Sequence, residues 1–477
     1  MLWTVARIEI KNLLAETSVW LVAVLLAAAV AYAGWTGSRA VAVDRQAAVS
    51  ALTEQDSRLK ALHARMLRSE AIGQAAQSGD DPADPVVVGR ELAAQLAILP
   101  LSPLAAVAVG QRDLASASVR ITTDGPQGRT SSGETALAGP TRLMTGAFDL
   151  AFVFMSLLPL VIIVLTYDLL SSERERGTLA LVLAQPVSLA TFVLGKALLR
   201  GVLLCGVTVV LAALATLPSA PDLMTGDGAL HLGLYVAVVV GYALFWFAAA
   251  VAINVAGFSS ATNALALVGL WLALVVVMPG MVQVAVQVAH PPPSRVELVN
   301  LTRAAASEIE AELSALQGEH SAAVQGTADD SALAAAKRIV VAQEALEHRA
   351  APVMIAFATQ LAAQQALLDT LRFLSPAIVV HEAMGEVAGS GAHRLQQFAS
   401  QVDAFQARWR AFFFARVRAH QRLTSADHAA LPRFVFREEP RATLGWRVGA
   451  GLLGLLVPTL LLVSFAAIVL RRSSRPA

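Results

Sequence analysis

Six long apolar runs, separated by polar stretches of very different length, set out the plan of this chain. They occupy residues 18–35, 147–166, 198–217, 230–256, 263–287 and 444–470. An α-helix needs about 20 mostly apolar residues to cross about 30 Å of hydrocarbon, and each run is near that length or longer. The pattern therefore predicts an α-helical polytopic membrane protein with six transmembrane helices.

Two polar regions, residues 36–146 and 288–443, are too long for turns and too polar for a bilayer. Helical periodicity predicts a mostly helical domain in each, with a short strand at residues 119–123 of the first. Within residues 394–422 of the second, aromatic side chains recur at helical spacing, which favours a packed core over a ligand platform. These side chains are Phe398, Phe405, Trp409, Phe412 and Phe413.

Basic residues near the ends of the runs predict the orientation, because short loops rich in Lys and Arg stay in the cytoplasm. With six spans they all fall on one side: Arg7, Lys11, Arg174, Arg176, Lys196, Arg200, Arg471, Arg472 and Arg475. Both termini, the segment 167–197 and the tail 471–477 are therefore expected inside, and both large polar domains outside. Residues 1–17 have an amphipathic pattern, which predicts a helix lying on the cytoplasmic leaflet or, alternatively, an extension of the first span.

Composition agrees with a membrane protein. Hydrophobic residues make up 56% of the 477 positions and charged residues only 15%, against about 25% charged in soluble domains. The formal net charge of +1 gives no general field that would attract nucleic acid. The single cysteine, Cys205, excludes a disulfide within the chain and a metal site built on cysteine.

The stretch between the second and third runs breaks into three pieces. The first piece, Asp168 to Arg176, can continue the preceding helix into water, because its charged residues Glu173 to Arg176 are tolerated there and not in hydrocarbon. Gly177 then interrupts it. Thr178 is placed to cap a new helix, Leu179 to Ala184, which stops at Pro186 because the residue before a proline is pushed out of the α region. The sequence thus predicts a short apolar helix of about two turns on the cytoplasmic side.

This pattern, E-R-E-x-G-T-L-x-L-x-L-x-x-P-V-S followed by G-K, resembles the coupling segment of ABC-2 type permeases, the membrane halves of one class of ABC transporters. In that family the short helix sits in a groove of the ATPase subunit and transmits its closure to the spans. The flanking residues Glu173 to Arg176 could pair with charges on that partner. The resemblance implies coupling residues Glu173, Arg174, Glu175, Gly177, Thr178, Leu179, Leu181, Leu183 and Pro186. The alternative is an ordinary loop whose charges only obey topology.

The resemblance also implies partners and location. A separate ABC ATPase subunit would hold ATP and Mg, and a second permease, either another copy or a paralogue, would lie beside this one in the bilayer. Outer domains after the first and fifth spans are similar to a bacterial subgroup that contains a domain of unknown function, and this implies a bacterial inner membrane. The segments that carry this second resemblance are Leu101 to Leu114 and Phe373 to Ala377.

Catalytic and metal-binding motifs do not occur in the sequence. His381 and Glu382 begin an HE pair, but Gly385 stands where the zinc-protease motif HExxH needs its second histidine. There is no G-x-S-x-G elbow and no Walker A sequence. We therefore expect no catalytic residue, metal site or cofactor on this chain, interpret its scattered histidines as solvated, and expect Asn254 and Asn263 to cap or join helices.

Two functions remain open from sequence. One is a permease for a hydrophobic or amphipathic substrate, because the spans carry few ionisable residues along which a small ion could pass. The other is a mechanotransmission or structural subunit whose large outer domains are driven by a cytoplasmic ATPase without translocation. An enzyme is the least favoured class, and the direction of transport is not indicated.

Overall fold

The computed structural model describes residues 11, 15–72, 81–109, 118–124, 148–178, 189–216, 226–291, 296, 299–300, 303–308, 311 and 328–473. Most of the amphipathic stretch 1–17 and the short helix expected at Leu179 to Ala184 lie outside these residues. Both therefore stay predictions.

Most of the described chain is helical. The helices are α1 (Thr17–Ile72), α2 (Pro85–Val87), α3 (Leu150–Phe152), α4 (Leu158–Thr166), α5 (Ser171–Glu175), α6 (Leu189–Thr216), α7 (Gly226–Val255), α8 (Ser260–Trp271), α9 (Met278–Ala289), α10 (Ala328–Leu371), α11 (Pro376–Ala388), α12 (Ala392–Arg418), α13 (Ser425–Ala429) and α14 (Arg441–Ser473). Short π-helical segments continue α2, α3 and α8 at Val88–Leu92, Val153–Leu157 and Leu272–Val277, and a 3-10 turn, Arg372–Leu374, ends α10. Strands β1 (Gln95–Ile98) and β2 (Ser118–Ile121) pair antiparallel, with Gln95 opposite Ile121.

Within the described residues, 7 helices are long and apolar enough to cross a membrane. Six of them contain the predicted apolar runs, and the seventh, Val340–Leu374, lies in the region expected to form the second outer domain. The mean hydropathy of its most apolar 18 residues is 1.3, whereas the same measure is at least 1.9 in each of the other helices. This helix was expected within the second outer domain, and the count of six spans stays a prediction.

The first apolar run and the helix predicted after it form one helix, α1, of 56 residues. At 1.5 Å per residue α1 is about 84 Å long, far more than a bilayer core requires. Gly37 lies inside it without ending it, and a Cβ there would stand 2.3 Å from the carbonyl oxygen of Ala106. This glycine therefore permits a close approach between α1 and the segment 101–109.

The largest apolar core lies among the predicted spans, with α7 at its centre. Tyr235, Tyr242 and Trp246 of α7 are fully buried, and α7 packs along α4, α6 and α14. By contrast, only 17% of the most apolar 18-residue stretch of α8–α9, and the same share of that of α14, is buried inside the protein. Apolar surface of this extent is suited to contact with lipid and not with water.

Each region expected to lie outside also contributes one segment to this core. Leu104, from the segment 101–109, and Met384, from α11, are buried in it among the predicted spans. The two segments meet where the Ser102 hydroxyl donates to the carbonyl of Val387 at 3.4 Å. Sequence periodicity did not reveal this, because each segment is short and begins next to a proline.

Pro159, inside the second span, creates attachment points for other helices. Proline has no N–H, so the carbonyl of Met155, four residues earlier, cannot receive its usual helical bond. The Tyr242 hydroxyl donates to that carbonyl at 2.8 Å. The indole N–H of Trp271 donates to the adjacent carbonyl of Ser156 at 3.1 Å. These bonds fix α7 and α8 against the second span.

A second apolar core joins the far part of α1 to β1, β2 and α12. The aromatic stripe on α12 is mainly core, as predicted, because all of its members except Phe412 are buried. Trp409 also donates its indole N–H to the carbonyl of Gly89 at 3.1 Å. The strand predicted at residues 119–123 is confirmed as β2, whereas β1 was not predicted because its four residues give no clear alternation.

Candidate functional site

The described part of the predicted coupling segment lies where α4, α5, α6 and α8 meet. Helix α5 carries Glu173, Arg174 and Glu175, and Gly177 follows with a φ of 74°, a left-handed conformation that favours glycine. The Thr178 hydroxyl donates back to the Glu173 carboxylate and, at 3.2 Å, to the Glu173 carbonyl. It was expected to cap the following helix. The remaining predicted coupling residues lie outside the described chain: Leu179, Leu181, Leu183 and Pro186.

Glu173 is held from two sides. Lys196 of α6 donates from Nζ to one carboxylate oxygen at 3.0 Å, and Thr178 donates to the other. The Lys196 side chain is only 7% exposed. Burial opposes ionisation of Glu173, but the hydrogen bonds from Thr178 and Lys196 outweigh it and hold its pKa below the ordinary value. The carboxylate therefore attaches the segment to α6, whereas sequence analysis expected it to pair with charges on a partner.

Glu175 attaches the same segment to α8. One carboxylate oxygen accepts from the Ser260 backbone N–H at 2.7 Å, and the other accepts from the Ser260 hydroxyl at 3.0 Å. The first N–H groups of a helix have no partner within the helix, and the helix dipole favours a negative charge at this end. The carboxylate thus satisfies the start of the fifth apolar helix.

Arg174, between these two glutamates, lies against the turn that joins α7 to α8. At Gly257 in that turn, an added Cβ would stand 2.9 Å from the guanidinium of Arg174. The φ of Gly257 is 94°, so both the backbone and the space favour glycine. Each residue of the E-R-E motif therefore contacts a different part of the transmembrane core.

Arg200 and Asp168 were expected only to mark orientation and a segment boundary, but both belong to this site. Arg200 donates to the carbonyl of Leu165 at 2.5 Å and lies 3.5 Å from the Asp168 carboxylate. Lys196 and Arg200 are four residues apart, so they share one face of α6. This spacing could have indicated from sequence that the side chains of Lys196 and Arg200 both point towards the end of the second span.

Two buried asparagines join α7 and α8 to the end of α4. Asn254 donates from Nδ2 to the carbonyl of Thr166 at 2.9 Å, and Asn263 donates to the carbonyl of Tyr167 at 3.3 Å. Their side chains also meet, with Asn263 Nδ2 donating to Asn254 Oδ1 at 3.3 Å. The prediction that these residues join helices is confirmed.

A different group of charged residues lies where α10, α11, α12 and α14 meet. Most of its members belong to the region expected to lie outside, and we call it the outer charged cluster. It consists of Asp369, Glu386, His393, Glu439 and Arg447. His393 Nδ1 lies 3.3 Å from Glu386, and its Nε2 lies 3.8 Å from Asp369. Arg447 lies 3.0 Å from Glu386 and 2.6 Å from Glu439. The hydrogen bond with Glu386 raises the pKa of His393, although burial opposes it. Interpreting every histidine as solvated was therefore wrong for His393.

The described residues contain no cluster of three or more His, Cys, Asp or Glu side chains that could hold a metal ion. Glu382, next to His381, instead lies 3.0 Å from the guanidinium of Arg372. The arrangement on this chain is thus one of structural joints between helices.

A helical membrane core, several membrane-length helices and a charged joint at one end define a multi-pass integral membrane protein. Comparison with known families is consistent with that class. The sequence matches the family described as ABC-2 family transporter protein over residues 3–470, so the chain belongs to this family of transporter permeases. A comparison with curated proteins gave no match.

Proposed function

We propose that this chain moves a substrate across a bacterial inner membrane, driven by a separate ATPase subunit that binds its cytoplasmic segment 167–197. The observation that carries the proposal is the attachment of Glu173, Arg174 and Glu175 to α6, to the α7–α8 turn and to α8. A short helix attached to several spans at once can move them together. An ordinary loop requires no such attachment.

The ATPase subunit binds ATP and Mg. A second permease, either a copy of this chain or a paralogue, completes the transporter. The substrate is hydrophobic or amphipathic, because the predicted spans carry few ionisable residues that could line a path for a small ion. The large apolar faces of α8–α9 and α14 are available to lipid or to the second permease.

Six crossings account for the contacts of the seventh apolar helix. Gln364 of α10 donates to the carbonyl of His290 at the end of α9. About three turns later, Ser375 reaches the carbonyl of Leu274, roughly 24 Å deeper along the same apolar helix. Helix α11 then returns through the core to the outer charged cluster. Residues 364–388 therefore form a re-entrant hairpin that enters and leaves on the outer side, and both termini stay cytoplasmic.

A mechanotransmission subunit is the second candidate, and the continuity of α1 favours it. Beyond Gly37 the helix extends for about 50 Å, and Glu70 near its end accepts hydrogen bonds from the backbone and hydroxyl of Ser425 at 2.6 and 2.8 Å. Gln55 bonds the backbone N–H of Leu96 at 2.6 Å. Tilting the first span would thus carry the outer domain with it, whether or not a substrate crosses.

The coupling test replaces Leu181 by Asp. If this residue enters an apolar groove of the ATPase, an unpaired buried charge costs several kcal/mol, which lowers affinity by orders of magnitude. Phe258→Asp is the matched control, since Phe258 is 53% exposed in the neighbouring α7–α8 turn. We measure co-purification of the subunit that carries a Walker A motif, and the ATPase rate of the retained complex. Full binding and wild-type activity in Leu181→Asp would contradict the proposal.

The two candidate functions are separated in liposomes that contain the complex. ATP-dependent movement of a fluorescent amphipathic probe across the bilayer supports the permease. An ATP-dependent displacement of a spin label at Arg68, near the end of α1, without probe movement supports mechanotransmission.

A further inference from the structure

The carbonyl of Leu274, in the middle of the fifth apolar helix, lacks a donor from its own helix. The helix is π-helical from Leu272 to Val277, and the Met278 N–H bonds five residues back to Ala273. In this register the next donor would be residue 279, which is proline and has no N–H. A carbonyl in an apolar core needs a partner, because no water is present to supply one.

Ser375 supplies that donor from another element. It is fully buried, and its hydroxyl donates to the Leu274 carbonyl at 2.5 Å. The same oxygen accepts from the backbone N–H of Ala377 at 3.2 Å and of Ile378 at 3.5 Å, which makes Ser375 the N-cap of α11. One hydroxyl therefore joins the fifth apolar helix to the tip of the re-entrant hairpin.

Contacts of the tip with α14 are of a different kind. Phe373 lies beside Gly454, where an added Cβ would stand 2.6 Å from its ring. This contact is apolar and non-directional. The directional bond of the tip is the one to Leu274.

The same apolar helix carries the coupling joint at its other end. Glu175 holds the backbone N–H of Ser260 at the start of α8, and Leu274 lies about 21 Å further along. At the far end of α11, Glu386 contacts His393 of α12 and Arg447 of α14. A continuous series of contacts thus connects the cytoplasmic segment, the fifth apolar helix, the hairpin and the outer region.

We propose that Ser375 is a positioning residue for transport, which transmits movement of the fifth apolar helix to the re-entrant hairpin. The inference rests on the proposed function, because that movement originates at the cytoplasmic segment. Ser375 acts through Leu274 and α11 and need not touch the substrate.

Three variants distinguish transmission from a merely structural role. Ser375→Ala removes the donor and leaves the Leu274 carbonyl unpaired. Adding Pro279→Ala restores an N–H five residues after Leu274, so the double variant regains a paired carbonyl but still lacks the bond to the hairpin. Both variants lose the same helix cap. Thr459→Val is the matched control, because it deletes a buried hydroxyl that bonds within its own helix, to Leu455 at 2.7 Å.

The readout is distances between spin labels in the complex with its ATPase, in nanodiscs, on a Cys205→Ala background. An inner pair at Phe258 and Arg472 reports the cytoplasmic side, and an outer pair at Thr370 and Ala442 reports the hairpin; all four positions are exposed. Distances are compared without nucleotide and after trapping with ATP and vanadate.

Both pairs should shift on trapping in the wild type and in Thr459→Val. In Ser375→Ala and in the double variant, the inner shift should remain and the outer shift should be lost, while the double variant melts at a higher temperature than Ser375→Ala. An outer shift that persists in Ser375→Ala, or returns in the double variant, refutes the inference alone. No inner shift in the wild type refutes the proposed function and this inference with it.

Discussion

Reversing the ion pair between Glu173 and Lys196 tests how the coupling segment is held. Glu173→Lys removes a hydrogen bond between charged groups, a contribution of about 1.5–3 kcal/mol. It also places a second ammonium group beside Lys196, and two like charges about 4 Å apart repel by about 4 kcal/mol at an effective dielectric constant near 20. Solvent relieves part of this, because the Glu173 side chain is 23% exposed. We expect a net destabilisation of about 3–5 kcal/mol.

The assay is the melting temperature of the permease alone, followed by co-purification of the ATPase. Glu173→Lys should lower the melting temperature, and adding Lys196→Glu should recover most of the loss, because the double variant restores a pair of opposite charges. Arg176→Gln, at an exposed position of the same turn, should lower the melting temperature much less, because Arg176 is the weakest of the groups that lower the pKa of Glu173.

One outcome would refute this reasoning. The permease carrying Glu173→Lys would melt like the wild type but lose its ATPase, and Lys196→Glu would not restore binding. Glu173 would then contact the partner directly, as sequence analysis first suggested, and the internal pair would be incidental.

The remaining predictions concern the outer side. Hydrogen bonding to Glu386 raises the pKa of His393, which also faces Asp369 and Arg447. The protonated imidazole therefore stabilises the fold below its ordinary pKa, and this stabilisation is lost as pH rises through the raised pKa. From about pH 6 to about pH 9, the melting temperature should fall in the wild type and in the control His348→Gln. In His393→Gln the contribution of His393 to this fall should be missing. Identical curves for all three proteins would contradict the role of His393. For the topology, cysteines at Ser69 and Ser331 on a Cys205→Ala background should react with a membrane-impermeant thiol reagent in intact cells. Protection of either cysteine until lysis would overturn the six-span arrangement.

The apolar spans were predictable because their signal is local. A run of apolar residues at membrane length predicts a helix whatever surrounds it, and six of the membrane-length helices lie where the sequence indicated. The proposed re-entrant hairpin was not predictable in this way. The helix that supplies its first arm reaches a mean hydropathy of only 1.3 over its most apolar 18 residues. The burial of Met384 in its second arm depends on helices distant in sequence.

In the candidate coupling site, too, the features set by local sequence were predictable and those set by packing of distant helices were not. The turn at Gly177 and the charged end of α5 follow from residue type and spacing, so their positions were predicted. The partners of Glu173 and Glu175 were not, because an acidic side chain next to a turn can face solvent, a partner or its own fold with equal local propensity. Only the packing of α6 and α8 against α5 brings Lys196 and Ser260 within hydrogen-bonding distance.

The two joints of the fifth apolar helix differ in a way that suits transmission from the cytoplasm outwards. The bond of Glu175 to Ser260 is exposed, so water competes for it, and a bound ATPase could strengthen it by excluding that water. The bond of Ser375 to Leu274 lies in the apolar core, where an unpaired carbonyl has no alternative partner and separation is costly. In the proposed mechanism, a displacement applied at the cytoplasmic end would therefore move the hairpin before it broke the bond of Ser375 to Leu274. The effect of the ATPase would be concentrated at the residues of the E-R-E motif.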